Sequence, residues 1–457
     1  MDFVHRPYIP GETISAIITA PGNAAVAAIR ISGDKALSIA DSIFSGSIQK
    51  YRSHTAHYGY ILDKNESPID HVLVLVMHNP KSFTGEDTVE IFCHGGSLIT
   101  RQVYERTLEA GARAAGPGEF SLKAFKNGKL DLSQAEAIQE LICAQNELAL
   151  KTAENQLEGK LSQKIQSFQK DLTEIAAILE AWVDFPEEGL EFASFEEIAD
   201  NLQRIIREMQ ALEHTYYEGK IIKDGLSLCL IGPPNVGKSS LMNALLKQNR
   251  AIVTPIAGTT RDLIEESMTL GNLHFRLIDT AGIRKTDEII EQEGILRSKK
   301  AHQEADLTLL VLDASRELLE EDLHLIESLP KEKCILIWNK IDLQVVEQEV
   351  DFPHQVKISA KENLGLNSLQ QKIEACIWKQ KTPEKQEVLL TKHRHKQALT
   401  QTISACKAVL HGLQSDLSPE FIASDIRQAL NELGTILGTN VTEDILSSIF
   451  AKFCVGK

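Results

Sequence analysis

Cysteine pairs, long apolar runs and a surplus of positive charge are all missing from this sequence, and each absence removes a class of function. Its seven cysteines (Cys93, Cys143, Cys229, Cys334, Cys376, Cys406 and Cys454) are odd in number and include no pair at C-x-x-C spacing. That pattern argues against a disulfide framework or a cysteine zinc site, and for reduced thiols in the cytoplasm. No apolar run approaches the length of a bilayer crossing, so no membrane attachment is expected. The opening Met-Asp-Phe-Val-His-Arg-Pro carries an acid at once and has no apolar core, unlike a secretory signal. The formal net charge is −16, whereas a protein that coats nucleic acid through its overall field needs clustered Lys and Arg. Only a local basic patch is left to meet RNA in that way.

What is present is a globular composition on a chain too long for one core. With 457 residues, 43% of them hydrophobic and 25% charged, two or three domains are expected. Three textures follow one another. Residues 13–125 alternate short apolar stretches with Gly and Pro, which reads as a mixed α and β domain. From residue 130 to 220 Gly and Pro thin out, and Ile138, Leu141, Ile142, Ile165, Leu172, Ile175, Leu179 and Trp182 recur at helical spacing, with a break near Pro186. Residues 226–231, 275–278, 307–312, 335–338 and 356–358 are aliphatic runs, each followed by a polar loop. Strands buried on both faces and separated by helix-length segments predict a parallel α/β sheet. Beyond Pro383 the pattern is helical again, so the α/β block is predicted to be inserted into a helical domain.

The first of those runs leads into Gly232-Pro233-Pro234-Asn235-Val236-Gly237-Lys238-Ser239 and then an apolar helical stretch from Ser240. This is G-x-x-x-x-G-K-S in its setting of strand, loop and helix. The glycines let backbone N–H groups turn in around phosphates, the helix N-terminus adds partial positive charge, and Lys238 is placed to reach the β- and γ-phosphates. Ser239 is expected to ligate magnesium through its hydroxyl. Asp279-Thr280-Ala281-Gly282 follows the second run, where Asp279 can hold magnesium through water and the Gly282 N–H can approach the γ-phosphate. Between them Gly258-Thr259-Thr260 can act as a switch loop, with a threonine hydroxyl on magnesium. Asn339-Lys340-Ile341-Asp342 follows the fourth run, and the Asp342 carboxylate suits the N1–H and amino group of guanine but would be left unpaired by adenine. Ser359-Ala360-Lys361 follows the last run, where a backbone N–H can meet the guanine carbonyl. Five motifs in this order predict GTP binding with magnesium, and hydrolysis.

Many GTPases place a glutamine after D-x-x-G to orient water, and here that place holds Ile283. Asp287, Glu288, Glu291 and Glu293 follow closely, and both a solvated helix start and a catalytic carboxylate fit them. The cluster His393-Arg394-His395-Lys396 fits a tRNA contact or a solvated helix face.

Further segments resemble one family, the tRNA-modification GTPases known as MnmE or TrmE. They are Ala28-Ile29-Arg30-Ile31-Ser32-Gly33, Ser82-Phe83-Thr84-Gly85-Glu86-Asp87, His94-Gly95-Gly96, Pro117-Gly118-Glu119-Phe120, Lys129-Leu130-Asp131-Leu132-Ser133-Gln134-Ala135-Glu136 and Phe453-Cys454-Val455-Gly456-Lys457. The sequence departs from the family at Val455, where isoleucine is usual, and at Gly116, where arginine is common. The resemblance implies an α/β and α multidomain protein. Residues 1–125 would form an α+β tetrahydrofolate-binding and dimerisation domain. Residues 126–223 and 381–457 would form the two parts of a helical domain ending in the cysteine-containing tail, with the P-loop GTPase, 224–380, inserted between them.

It further implies a homodimer that works with the FAD-dependent partner MnmG to add an aminomethyl-type (carboxymethylaminomethyl) group to carbon 5 of the wobble uridine of certain tRNAs. Arg30, Glu90, Lys129 and Lys457 become contacts to 5-formyl- or methylene-tetrahydrofolate, whose glutamate tail, carbonyl and amino groups suit those charges. Potassium replaces the missing glutamine's electrostatic aid, held by Asn235 with Thr254, Ile256 and Thr259, while magnesium takes Ser239 and Thr260. Glu291 becomes the water-orienting catalytic residue. The nucleotide set completes as Asn235, Val236, Gly237, Lys238, Ser239, Ser240, Thr254, Pro255, Ile256, Ala257, Gly258, Thr259 and Thr260, with Asp279 to Gly282 and the guanine loops. Cys454 is a reactive thiol, a methylene-transfer site or a packing residue of the tail. The competing class is a ribosome-assembly GTPase that binds RNA as a switch, which would carry a basic appendage after the GTPase rather than a long helical return.

Overall fold

Apolar alternation in the first third makes strands with one buried face, as in Pro68–Met77, where every second residue from Asp70 onward is buried. The computed structural model describes residues 8–184, 194–249, 267–271, 273–278, 305–378, 387–415 and 417–457. They divide into two compact units: Met1–Ile142 with Gln156–Met209 and Gln397–Lys457, and Cys143–Asn155 with Gln210–Lys396.

The first unit contains a six-stranded sheet of β1 (Ile14–Ile17), β2 (Val26–Ser32), β3 (Thr55–Leu62), β4 (Pro68–Met77), β5 (Thr88–His94) and β6 (Arg113–Ala114), in the order β3-β4-β5-β2-β1-β6. Only the β1–β6 pair is parallel. Helix α1 (Ala36–Ile43) packs Ala36, Ile39, Ala40 and Ile43 on one face of the sheet, together with Val103 from α2 (Ser97–Glu109). Helix α3 (Glu119–Lys126) follows β6, and α4 (Leu132–Cys143) buries Leu132 and Ala135 against Leu446, Phe450 and Phe453 near the C-terminus. Next in the chain come α5 (Glu147–Leu157), α6 (Lys160–Asp184), α7 (Phe195–His214) and α8 (Tyr216–Asp224). In α6 the residues Leu161, Ile165, Phe168, Leu172, Ile175 and Leu179 form the expected buried stripe. Ile142, predicted with them, is 43% exposed in the last turn of α4, beyond the residues that cover Leu132 and Ala135.

The second unit holds the aliphatic runs as β7 (Leu226–Ile231), β9 (Leu273–Leu277), β10 (Leu307–Asp313), β11 (Cys334–Asn339) and β12 (Gln355–Lys357). They pair in parallel in the order β12-β11-β10-β7-β9. Every residue of β7 and β11 is buried, as the absence of alternation required. An edge strand that the runs did not reveal, β8 (Ser267–Leu270), pairs antiparallel with β9. Helices α9 (Lys238–Asn249), α10 (Glu320–Ser328) and α11 (Leu366–Ile377) belong to this unit. Its core also takes Leu148 and Ala149 of α5, Ile221 and Ile222 of α8, and Leu389. The chain then returns to helices as α12 (His393–Gln414), α13 (Pro419–Leu437) and α14 (Glu443–Phe450), and α13 packs along α6. The molecule is thus a mixed α/β multidomain protein in which a P-loop-type sheet interrupts a helical region. Among the described residues no helix is long and apolar enough to cross a membrane.

Candidate functional site

The turn from β7 to α9 is possible because of its glycines. A Cβ on Gly232 would lie 2.2 Å from the Val311 carbonyl oxygen, and one on Gly237, whose φ is +96°, 2.3 Å from Asn339 Nδ2. Asn235 also has a left-handed φ of 62°, which asparagine tolerates better than most residues. Lys238 opens α9 and donates to the Gly232 and Pro233 carbonyls, each at 2.6 Å. Burial pushes its pKa below the ordinary lysine value. Ser239 and Ser240 are exposed in the first turn, the position from which a hydroxyl can serve a cation.

Asn339 is buried and joins two loops to this turn. Its Nδ2 donates to Val236 O at 2.8 Å, and its Oδ1 accepts from Ala360 N at 3.0 Å. Lys340 takes φ of 70° and donates to Asp313 Oδ2 at 2.6 Å. Asp313, at the end of β10, is a residue the motif reading missed. Burial raises its pKa, but hydrogen bonds from Lys340 and Ser315 outweigh that and hold it below the usual carboxylate value. Ser359 Oγ donates to Asp342 Oδ1 at 2.6 Å. That hydrogen bond, first of all, keeps the exposed Asp342 carboxyl below its ordinary pKa. Lys361 is exposed, and Ala360 and Val236 are buried. The P-loop, the N-K-x-D loop and the S-A-K loop therefore converge. The other predicted nucleotide and metal residues, Thr254, Pro255, Ile256, Ala257, Gly258, Thr259, Thr260, Asp279, Thr280, Ala281, Gly282 and Glu291, lie outside the described residues.

In the first unit, ladder register places Arg30 opposite Glu90 across β2 and β5. Arg30 Nε and Nη2 both reach Glu90 Oε1 at 2.8 Å, and the guanidinium carbon lies 5.4 Å from the ring centres of both Phe83 and Phe120. The C-terminal tail is stitched to the turn before α3: Pro117 bridges Val455, Gly118 N donates to Cys454 O at 3.3 Å, and Phe120 N donates to Lys457 O at 3.1 Å. Lys457 is half-buried there, and its pKa is lowered by that burial and then by Arg30, against the opposing pull of Cys454 and Glu90. The structure thus gathers Arg30, Glu90 and Lys457. Lys129 is exposed and donates to Pro80 O at 3.1 Å, with its stem against Gly85. Among the described residues it makes no hydrogen bond to the other three. Cys454 is half-buried, and its carbonyl accepts from both Gly118 and Lys457. Gly116 offers its N–H to Glu119 Oε2 at 2.7 Å, where Glu119 also pairs with Arg113.

The cluster at residues 393–396 is neither a uniform basic patch nor a uniform solvated face. His395 is fully buried, Arg394 Nη2 lies 2.9 Å from its Nε2, and Lys396 sits over the Tyr216 ring.

Two family models together cover most of the chain. A family model described as the MnmE helical domain matches residues 132–454, and one described as the GTP-binding protein TrmE N-terminus matches residues 13–129. The chain belongs to the MnmE family. It is 58% identical over 458 aligned residues, 100% of both chains, to the "tRNA modification GTPase MnmE" of Protochlamydia amoebophila. It is 42% identical to proteins with the same description from Clostridioides difficile and Thermoanaerobacter sp., in each case over 98% of this chain and 99% of the relative. In this MnmE-family chain the converging P-loop, N-K-x-D and S-A-K loops lie in the second unit and the Arg30–Glu90–Lys457 group in the first.

Proposed function

We propose that this chain is a potassium-activated GTP hydrolase that gates modification of the wobble uridine of certain tRNAs. With the FAD-dependent partner MnmG it adds an aminomethyl-type (carboxymethylaminomethyl) group at carbon 5. The observation that carries this reading is identity along the whole chain, at 58%, to a relative described as a tRNA modification GTPase. The loop geometry is consistent with it. The P-loop amides and Lys238 bind the triphosphate, and Asp342, oriented by Ser359, selects guanine. Ser239 and Thr260 would hold magnesium. Asn235, Thr254, Ile256 and Thr259 would hold potassium. Bound there, the two cations supply positive charge to the phosphate oxygens. Glu291 orients the attacking water.

Arg30, Glu90, Lys129 and Lys457 take 5-formyl- or methylene-tetrahydrofolate, the cations meeting its carboxylates or carbonyl and Glu90 its amino and ring N–H groups. The half-buried Lys457 beside Arg30 supports an anionic or carbonyl-bearing ligand, which would relieve the repulsion between the two cations. The working form is a cytoplasmic homodimer, with residues 1–125 as the folate domain, 126–223 and 381–457 as the helical domain and 224–380 as the GTPase. Mass spectrometry of tRNA nucleosides from cells lacking the gene should show unmodified wobble uridine, restored by the wild-type chain but not by a Glu291→Ala chain. Unchanged nucleosides in the deletion strain would refute the reading.

A further inference from the structure

One buried ion pair has no part in either site as described. Lys123 and Glu86 keep only 1% and 10% of their side chains exposed. Lys123 Nζ donates to Glu86 Oε1 at 3.0 Å, to Glu86 Oε2 at 2.8 Å and to Glu12 O at 2.7 Å. An ammonium carries three hydrogens, and all three have acceptors. Burying such a pair adds little net stability compared with an apolar pair of similar volume. What it adds is direction: two hydrogen bonds to the Glu86 carboxylate, with a third anchoring the ammonium on Glu12 O, define where Glu86 sits, whereas an apolar contact lets a loop slide.

Glu86 lies in the loop that carries Phe83, and the rest of that loop is tied down as well. Ser82 Oγ and Thr88 Oγ1 donate to Glu86 O at 2.6 and 3.1 Å, Thr84 Oγ1 is 2.7 Å from Ser32 Oγ, and Asn127 Nδ2 donates to Thr84 O at 2.8 Å. Ser32 and Thr88 are ladder partners on the same sheet face as Arg30 and Glu90, one pair further along. Lys123 sits three residues after Phe120 on α3, hence on the same helix face. One wall of the Arg30 clamp is thus Phe120 of α3, and the other, Phe83, lies in the loop whose Glu86 is bonded to Lys123 of that same helix.

We propose that the Lys123–Glu86 pair positions Phe83 against Arg30 and thereby sets the grip of the Arg30–Glu90 pocket on a reduced folate. This rests on the folate reading given above. The test uses the full-length protein and 5-formyltetrahydrofolate, with dissociation constants from calorimetry and with thermal midpoint and GTP turnover as controls. The apolar double variant Lys123→Met/Glu86→Leu should keep midpoint and turnover while weakening folate binding about tenfold. Phe83→Ala should weaken it similarly, and the triple variant should be no worse than about tenfold, because both changes act on one contact. Unaltered affinity in the double variant, or a triple loss of about a hundredfold, overturns the proposal. Should the double variant unfold, the near-isosteric Glu86→Gln takes its place: weaker binding at intact midpoint supports the proposal, and wild-type binding overturns it. Arg30→Ala separates the two levels. If Arg30→Ala loses binding while the ion-pair variants retain it, only the positioning role falls. If Arg30→Ala itself binds normally, the pocket assignment falls first and takes the positioning role with it.

Discussion

At the scale of the residue, the proposed selectivity for guanine rests on one carboxylate and the hydroxyl that orients it. Ser359 donates to Asp342, which lowers the carboxyl's pKa. Asp342→Asn replaces a double acceptor with a group that both accepts and donates, which suits xanthine rather than guanine. Preference for GTP over xanthosine triphosphate should invert by about a hundredfold, a few kcal/mol of mispaired hydrogen bonding. Competition binding measures this, and undiminished preference for GTP would remove Asp342 from its role. The lysine of the same motif was legible as a motif member, but its partner was not. Asp313 stands at another strand's end, and only the parallel register of β10 with β11, which sets Asp313 beside Asn339, brings it to Lys340.

The β8–β9 pair and the C-terminal tail each carry a prediction at the scale of the element. His274 on β9 is buried, and among the described residues its Nδ1 has no hydrogen-bond partner. Burial first, then Arg276, lowers its pKa from 6.5 to about 4. A histidine with a depressed native pKa stabilises the fold above the unfolded value of 6.5 and loses that contribution as pH falls towards about 4. The full difference amounts to roughly 3 kcal/mol. His274→Leu should therefore flatten the loss of stability between neutral and mildly acid pH, as read by denaturant unfolding. An unchanged slope would show that other groups dominate it.

In the tail, Gly118 has φ of +65°, and a Cβ there would lie 2.6 Å from Phe450 O. Gly118→Ala should cost about 1–3 kcal/mol, loosen the turn that bonds Cys454 and Lys457, and weaken 5-formyltetrahydrofolate binding. Full affinity in that variant would separate tail docking from the pocket. The stripe of α6 could be read from spacing alone. The strand β8 could not, because its four residues, Ser-Met-Thr-Leu, are too few to show a period. The burial of His395 within an apparently basic run was equally hidden, since charge patterning does not say which side of a helix meets a core.

For the whole molecule, the central expectation concerns the ion proposed to stand in for the absent glutamine. Replacing sodium with potassium should raise GTP turnover at least about tenfold, about 1.4 kcal/mol of barrier. Equal rates in the two salts would exclude a potassium-dependent mechanism. Family membership over the entire chain makes this a property to seek in the intact protein.

By itself, the sequence determined the nucleotide chemistry, the parallel sheet and the helical surround, because each is written in contiguous residues whose spacing has a direct physical meaning. G-x-x-x-x-G-K-S needs no distant partner to be read, and an aliphatic run without alternation can only be buried on both faces. Tertiary structure alone decided what meets what. Arg30 finds Glu90 across 60 residues of chain through strand register, Lys457 comes under the influence of both because the tail pairs with the turn before α3, and α5 lends Leu148 and Ala149 to the core of the nucleotide sheet. Such pairings depend on how the strands are registered and how the chain closes on itself, and no local pattern of residues encodes either one.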